Sequence, residues 1–381
     1  MREDTSKQRA GARRKTDEEN PLFLTEQIIT YLGNKRALLS LIGHAIQLVQ
    51  KRLGKNRLTI LDLFSGSGIV ARYFKRFSNA LYVNDLEAYS RISNICYLTN
   101  RSSVDPTGLH EKLSELSRRI EGNLHGGFIT ELYAPKDESH IQKGDRVFYT
   151  IRNAQYIDTA RQEIAQLPES DQPFFLAPLL YGASVHNNTA GVFKGFYKNK
   201  NGVGQFGGSG RNALTRILGE IRLQMPVFSN FDCEVEVTQK DALQASLEMP
   251  EEVDLAYLDP PYNQHPYGSN YFMLNLIADY RRPDEISKVS GIPRHWNHSP
   301  YNQRQEAQEA LFRLVESLKA KYILISYNSE GFVQFDDFVH HLSSLGELKI
   351  MSRKYNAFRA SRNLHERDIH VKEFLFLLKR S

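Results

Sequence analysis

Cysteine is almost missing: Cys96 and Cys233 are the only two in 381 residues. That count excludes a disulfide framework and a cysteine-built zinc cluster, and it fits plain thiols in a reducing compartment. Tryptophan is scarcer still, with Trp296 alone. No apolar run approaches the ~20 residues of a membrane span. The opening Met1-Arg2-Glu3-Asp4 has no apolar core of the secretory kind. Residues 1–20 are nearly free of apolar side chains and read as a disordered tail. Neither sign of charge dominates, since the formal balance is +5. A balance that small says little about a polyanionic partner, so where the charges lie matters more.

Hydrophobic residues make up 41% of the chain, enough for a globular core. Leu38, Leu39, Leu41, Ile42, Ala45, Ile46 and Val49 recur at helical spacing after Tyr31-Leu32-Gly33-Asn34-Lys35. Leu58 to Phe64 is a short apolar run with β-branched members, followed by Ser65-Gly66-Ser67-Gly68 and a helical pattern from Ile69 to Phe74. That is strand, glycine turn, helix, the first unit of a βαβ layout. A second strand, Ala80 to Val83, ends at Asn84-Asp85, and a helix is expected over about 89–100. Further strands are expected at Cys233 to Thr238, Val253 to Leu258, Tyr322 to Ser326 and Phe374 to Leu378. The pattern predicts an α/β, Rossmann-like sheet.

Between Asp85 and Asp254 the chain is far longer than a βαβ repeat requires. Residues 106–232 are therefore expected to form an inserted domain, with 21–105 and 233–381 making up the sheet domain. Inside the insertion, 191–219 holds Lys194, Lys198, Lys200, Arg211 and Arg216 and no acidic residue, interleaved with Phe193, Phe196, Tyr197 and Phe206. Basic and mobile polar groups of this kind suit contact with nucleic acid. A solvated flexible loop is the plainer alternative.

Gly66-Ser67-Gly68-Ile69-Val70-Ala71 fits the glycine fingerprint of nucleoside cofactors, and Asp85 follows at the distance expected of a ribose-binding acid. The motif alone does not separate a nicotinamide cofactor from S-adenosylmethionine. The loop Asp259-Pro260-Pro261-Tyr262, directly after a predicted strand, is more discriminating. A carboxylate and a backbone carbonyl can each accept one hydrogen bond from an exocyclic amine, which stabilises the positive charge developing on nitrogen during attack on a methyl sulfonium. Two prolines rigidify the carbonyl, and a tyrosine ring offers stacking to a flipped base.

In this order the motifs resemble the alpha-class, Dam-like adenine-N6 DNA methyltransferases of restriction-modification systems. The resemblance covers most of residues 28–378 and is weakest in the middle. It implies S-adenosylmethionine as cofactor, with Tyr31, Lys35, Asp62, Phe64, Ser65, Gly66, Gly68, Asp85 and Asp241 lining its site. It implies Asp259, Pro260, Pro261 and Tyr262 as the catalytic loop. It makes the insertion a target-recognition domain, with Lys194, Lys198, Lys200 and Arg211 as DNA contacts. It also implies a basic C-terminal hairpin, for which Arg353, Lys354, Arg359, Arg362 and Lys372 are candidates. Double-stranded DNA is the expected partner, a cognate restriction endonuclease a conceivable one, and no metal or membrane is expected. A cytoplasmic monomer, bacterial or phage-encoded, is the simplest expectation. An N4-cytosine or RNA methyltransferase would keep the chemistry. A nicotinamide-dependent oxidoreductase would leave the proline loop unexplained, and a non-catalytic DNA-binding relic would leave both motifs without use.

Overall fold

The computed structural model describes residues 18–208, 210, 213–249, 252–356 and 370–381. Among these, seven strands form one sheet in the order β3-β2-β1-β4-β5-β7-β6. In chain order, α1 (Leu39–Leu53) precedes β1 (Leu58–Asp62), α2 (Ile69–Lys75), β2 (Ser78–Asp85) and α3 (Ala88–Leu98). A helical segment follows: α4 (Pro106–Gly122), α5 (Phe128–Tyr133), α6 (Ile151–Ile164), α7 (Pro173–Val185) and the short α8 (Leu214–Ile217). The sheet then resumes with β3 (Glu234–Gln239), α9 (Ala242–Glu248) and β4 (Val253–Leu258). After α10 (Tyr267–Asn270), α11 (Phe272–Asp279) and α12 (Ala307–Ser317) come β5 (Ala320–Asn328), α13 (Phe335–Leu345), β6 (Gly346–Asn356) and β7 (His370–Arg380).

The expected strands are all present, and β2, β5 and β7 run longer than the apolar runs that announced them. β1 to β5 pair in parallel, while β7 runs antiparallel to both β5 and β6. Every residue of β4 is buried. Such a strand lies under helices on both faces and reads as a continuous apolar run rather than an alternation. Chain connections leave β1 and β4 in opposite directions across the sheet, which opens a crevice at their carboxyl ends.

Local chemistry sets the helix boundaries. α1 buries Leu39, Ile42, Ala45, Ile46 and Val49 and stops at Gly54, whose φ of 64° lets it close the last turn. Asp105 caps α4 ahead of Pro106, and Thr150 caps α6 through the Asn153 N–H.

Residues 106–232 pack directly onto the sheet domain. One continuous core joins Leu116 and Ile120 of α4, Ile157 of α6 and Leu180 of α7 to Tyr89, Ile92 and Cys96 of α3 and to Leu274 and Ile277 of α11. Burying that apolar surface ties residues 106–232 to α3 and α11, so the position of one constrains the other. Glu19 and Asn20, which composition had assigned to the tail, are anchored as well. Glu19 accepts hydrogen bonds from Ser229 Oγ at 2.7 Å and the Asn230 N–H at 2.9 Å. Asn20 Nδ2 donates to the Phe228 carbonyl at 3.0 Å.

Candidate active site

The turn after β1 is built by its glycines. Gly66 and Gly68 have φ values of 53° and 77°, left-handed conformations that L side chains resist. The turn is held by acceptors on β2: Ser65 N–H donates to the Asn84 carbonyl at 3.1 Å, and Gly66 N–H to Asp85 Oδ2 at 2.6 Å. The other oxygen of Asp85 accepts from the Glu87 N–H at 2.9 Å. Burial pushes the Asp85 carboxyl up, and the hydrogen bonds from Gly66 and Glu87 oppose that.

A cleft of about 820 Å³, its open mouth included, lies over this turn. Tyr31, Lys35, Phe64, Ser65, Gly66, Asp85, Asp241, Asp259 and Pro261 line it. Tyr31 closes one side, clustered with Tyr267 and Tyr271 at centroid distances of 5.0 and 4.8 Å. Phe64 and Tyr301 meet edge to face at 5.2 Å on another wall. Asp241 caps α9, accepting from the Leu243 and Gln244 N–H groups. Asp62 lies wholly buried outside the lining, with Oδ2 lacking a hydrogen-bond partner among the described residues. Burial and then the Asp259 charge hold the Asp62 carboxyl well above the usual carboxylate range.

Asp259 follows β4 directly and meets the Lys35 ammonium at 3.1 Å. Lys35 is 5% exposed and carries a second carboxylate, Glu373 of β7, at 2.6 Å. Burial raises the Asp259 carboxyl to about 7, aided by the Glu373 charge and opposed by Lys35. In the rest of the loop, the Tyr262 carbonyl accepts from the Phe332 N–H at 3.0 Å, and its ring meets Tyr327 edge to face at 6.3 Å. The turn after β1 and the loop after β4 thus open into one cleft.

Lys194, Lys198 and Lys200 are exposed on the neighbouring segment, which is pinned by the Phe193 N–H donating to the Asn270 carbonyl at 2.7 Å. Arg216 is not part of that exposed basic face. Its guanidinium donates to the carbonyls of Val185, Asn187 and Thr189 and braces the loop from within. β6 and β7 form an antiparallel hairpin on which Arg353, Lys354 and Lys372 are exposed. Arg211, Arg359 and Arg362 lie outside the described residues.

Sequence reasoning missed three lining or supporting groups. Glu87 lines the cleft and accepts from Asn275 Nδ2 at 2.5 Å and Asn297 Nδ2 at 3.0 Å, and burial raises its carboxyl to about 7. Asn302 lines the cleft and donates to the Asn263 carbonyl at 2.7 Å. Glu373 carried a readable signal, a lone acid at the head of the apolar run Phe374 to Leu378. Among the described residues no group of three or more potential ligand side chains could hold a metal ion. No helix among them is long and apolar enough to cross a membrane.

The family model of the D12 class N6 adenine-specific DNA methyltransferases matches residues 31–341. The type II methyltransferase M.CviAII of Paramecium bursaria Chlorella virus 1 is 28% identical, over 92% of this chain and 98% of its own length. M.NlaIII of Neisseria lactamica, also a type II methyltransferase, is 28% identical over 93% of this chain and 100% of its own. M.FokI of Planomicrobium okeanokoites is 25% identical over 92% of this chain, which spans 52% of that longer relative.

Proposed function

Because the chain belongs to the D12 class of N6 adenine-specific DNA methyltransferases, we propose that it methylates adenine within one specific duplex sequence, using S-adenosylmethionine, as the modification partner of a restriction endonuclease. Bound S-adenosylmethionine would supply an electrophilic methyl group on a sulfonium. The observation that carries the reading is the convergence of the Gly66–Asp85 turn and the Asp259 loop on one cleft at the switch point of the sheet. The cleft fits the cofactor chemically. Its glycine turn allows close backbone approach, Asp85 and Glu87 offer carboxylates to hydroxyls, and Phe64 and Tyr301 offer aromatic surface.

Asp259 accepts one N6 hydrogen of the flipped adenine, and a carbonyl of the Pro260–Pro261 segment accepts the other, since the Tyr262 carbonyl is taken by Phe332. Both acceptors gain strength as positive charge develops on the nitrogen, so they stabilise the transition state more than the bound base. The Tyr262 ring supplies a stacking face for the extruded base. The cationic product amine is acidic and loses its proton without a strong base.

Residues 106–232 read the target sequence, with Lys194, Lys198 and Lys200 on phosphates beside the cleft. Arg353, Lys354 and Lys372 of the β6–β7 hairpin add phosphate contacts on the sheet side. The protein acts as a monomer in a bacterial or phage-infected cytoplasm, with no metal required. The test is methyl transfer from labelled S-adenosylmethionine to duplex DNA, followed by nucleoside analysis. Label in N6-methyladenine, lost in Asp259→Ala, is the expected result. Label in N4-methylcytosine or in RNA alone would overturn the reading.

A further inference from the structure

The proposed chemistry uses Asp259 but gives no role to the other carboxylate on Lys35. Glu373 is wholly buried, and its place is fixed by contacts from β5 and from Lys35. Ser326 Oγ of β5 donates to Glu373 Oε1 at 2.7 Å, and Asn328 Nδ2 to Oε2 at 3.4 Å. Lys35 Nζ donates to the same Oε1 at 2.6 Å and lies 3.1 Å from Asp259 Oδ1. One ammonium therefore serves two carboxylates, one wholly buried and one partly exposed to the cleft, and the shorter contact goes to the buried one, outside the catalytic loop. Removing any one of the three would leave a charge uncompensated in or beside the interior, so the three are coupled and a change at one is felt by the others.

We propose that Glu373 is a positioning residue for Asp259, acting through the Lys35 ammonium that both share. The proposal rests on reading Asp259 as the acceptor of the adenine amine. Glu373 draws the ammonium toward β7, so Lys35 touches one oxygen of Asp259 and leaves the other for the substrate. With Glu373 neutral, Lys35 would bind Asp259 alone, tightening on it and weakening it as an acceptor. The other ionisable groups facing Asp259 are Asp62 of β1, Tyr257 of β4, and Tyr262 and Tyr267 of the loops. Among the described residues Lys35 is the cation that meets Asp259, so its sharing sets the local charge.

The signs follow from the charges. The Glu373 charge raises the Asp259 carboxyl and Lys35 lowers it. In Glu373→Gln the acid limb of single-turnover methyl transfer should move down, by about one pH unit. In Lys35→Met it should move up. On the alkaline plateau Glu373→Gln should lose about tenfold in rate, with cofactor affinity within twofold of the parent. Glu373→Asp keeps the charge with shorter reach, so it should keep the parental acid limb while its plateau rate falls. An unmoved acid limb in Glu373→Gln, or limbs moving the same way in Glu373→Gln and Lys35→Met, overturns the proposal. Should Glu373→Gln fail to fold, Ser326→Ala loosens the same carboxylate, and an unchanged plateau rate there overturns it instead. A parental protein that makes no N6-methyladenine would sink the reading of Asp259 itself. An active parent with an indifferent Glu373→Gln would sink this proposal alone.

Discussion

Alanine at Gly66 would meet two separate obstacles, and their sizes can be worked out. The residue has φ of 53°, where a Cβ costs about 1–2 kcal/mol. That Cβ would lie 3.0 Å from Tyr31 Cε1 and Oη and 3.1 Å from Cζ. Tyr31 cannot easily give way, because the Tyr267 and Tyr271 rings pack against it at 5.0 and 4.8 Å and against each other at 6.1 Å. Overpacking against a clamped ring costs about 1–3 kcal/mol more. Gly66→Ala should thus lose about 2–5 kcal/mol of stability (the two terms taken together), or relieve part of it by pushing Tyr31 into the cleft. Thermal melting and S-adenosylmethionine titration by calorimetry should both register the change. Tyr31→Ala in the same chain should remove the overpacking but leave the backbone strain, recovering part of the stability. A Gly66→Ala protein that melts and binds cofactor like its parent would refute the reasoning. So would a double variant no better than the single one.

Asp259→Ala should reduce methyl transfer at least about 10²–10³-fold while cofactor binding, measured by calorimetry, changes little. Glu87 gives a pH signature: its folded carboxyl is raised to about 7 from 4.5, so its stabilising contribution is full below about 4.5 and is lost as pH rises through about 7. Glu87→Gln should therefore melt higher than the parent at pH 8, by on the order of 2 kcal/mol, and the difference should vanish by pH 4.5 or reverse. Replacing Lys194, Lys198 and Lys200 with alanine should flatten the plot of log DNA affinity against log salt by about 2–3. An unchanged slope in that titration would remove these lysines from the DNA path.

The parts legible in the sequence are those where the backbone itself carries the message. Gly66 and Gly68 mark left-handed positions, and Pro260 and Pro261 mark a rigid exit from a strand. Both signals are local, and the parallel layout then puts them in one crevice. β6 went unread because Gly346 to Asn356 mixes charges into its alternation, and the pairing with β7 decides its state. α7 was also silent, because Phe175, Leu176, Ala177, Leu179, Leu180 and Ala183 bury it on all sides and leave no amphipathic period to find. Glu87 and Glu373 were missed for a different reason. Their meaning lies in Asn275, Asn297 and Lys35, partners that no spacing rule links to them. Lys35 was placed beside the cofactor by resemblance, and the structure gives it two carboxylates to hold, Asp259 at the cleft and Glu373 buried behind it.

The bond from Lys35 to Glu373 spans 338 residues. Contacts so distant in sequence close against a large chain entropy and form late. The glycine turn and its Asp85 anchor are 19 residues apart and can assemble early. Refolding should therefore restore cofactor affinity before it restores turnover, and a chain whose last strand has not yet docked would hold the methyl donor without being able to spend it on DNA.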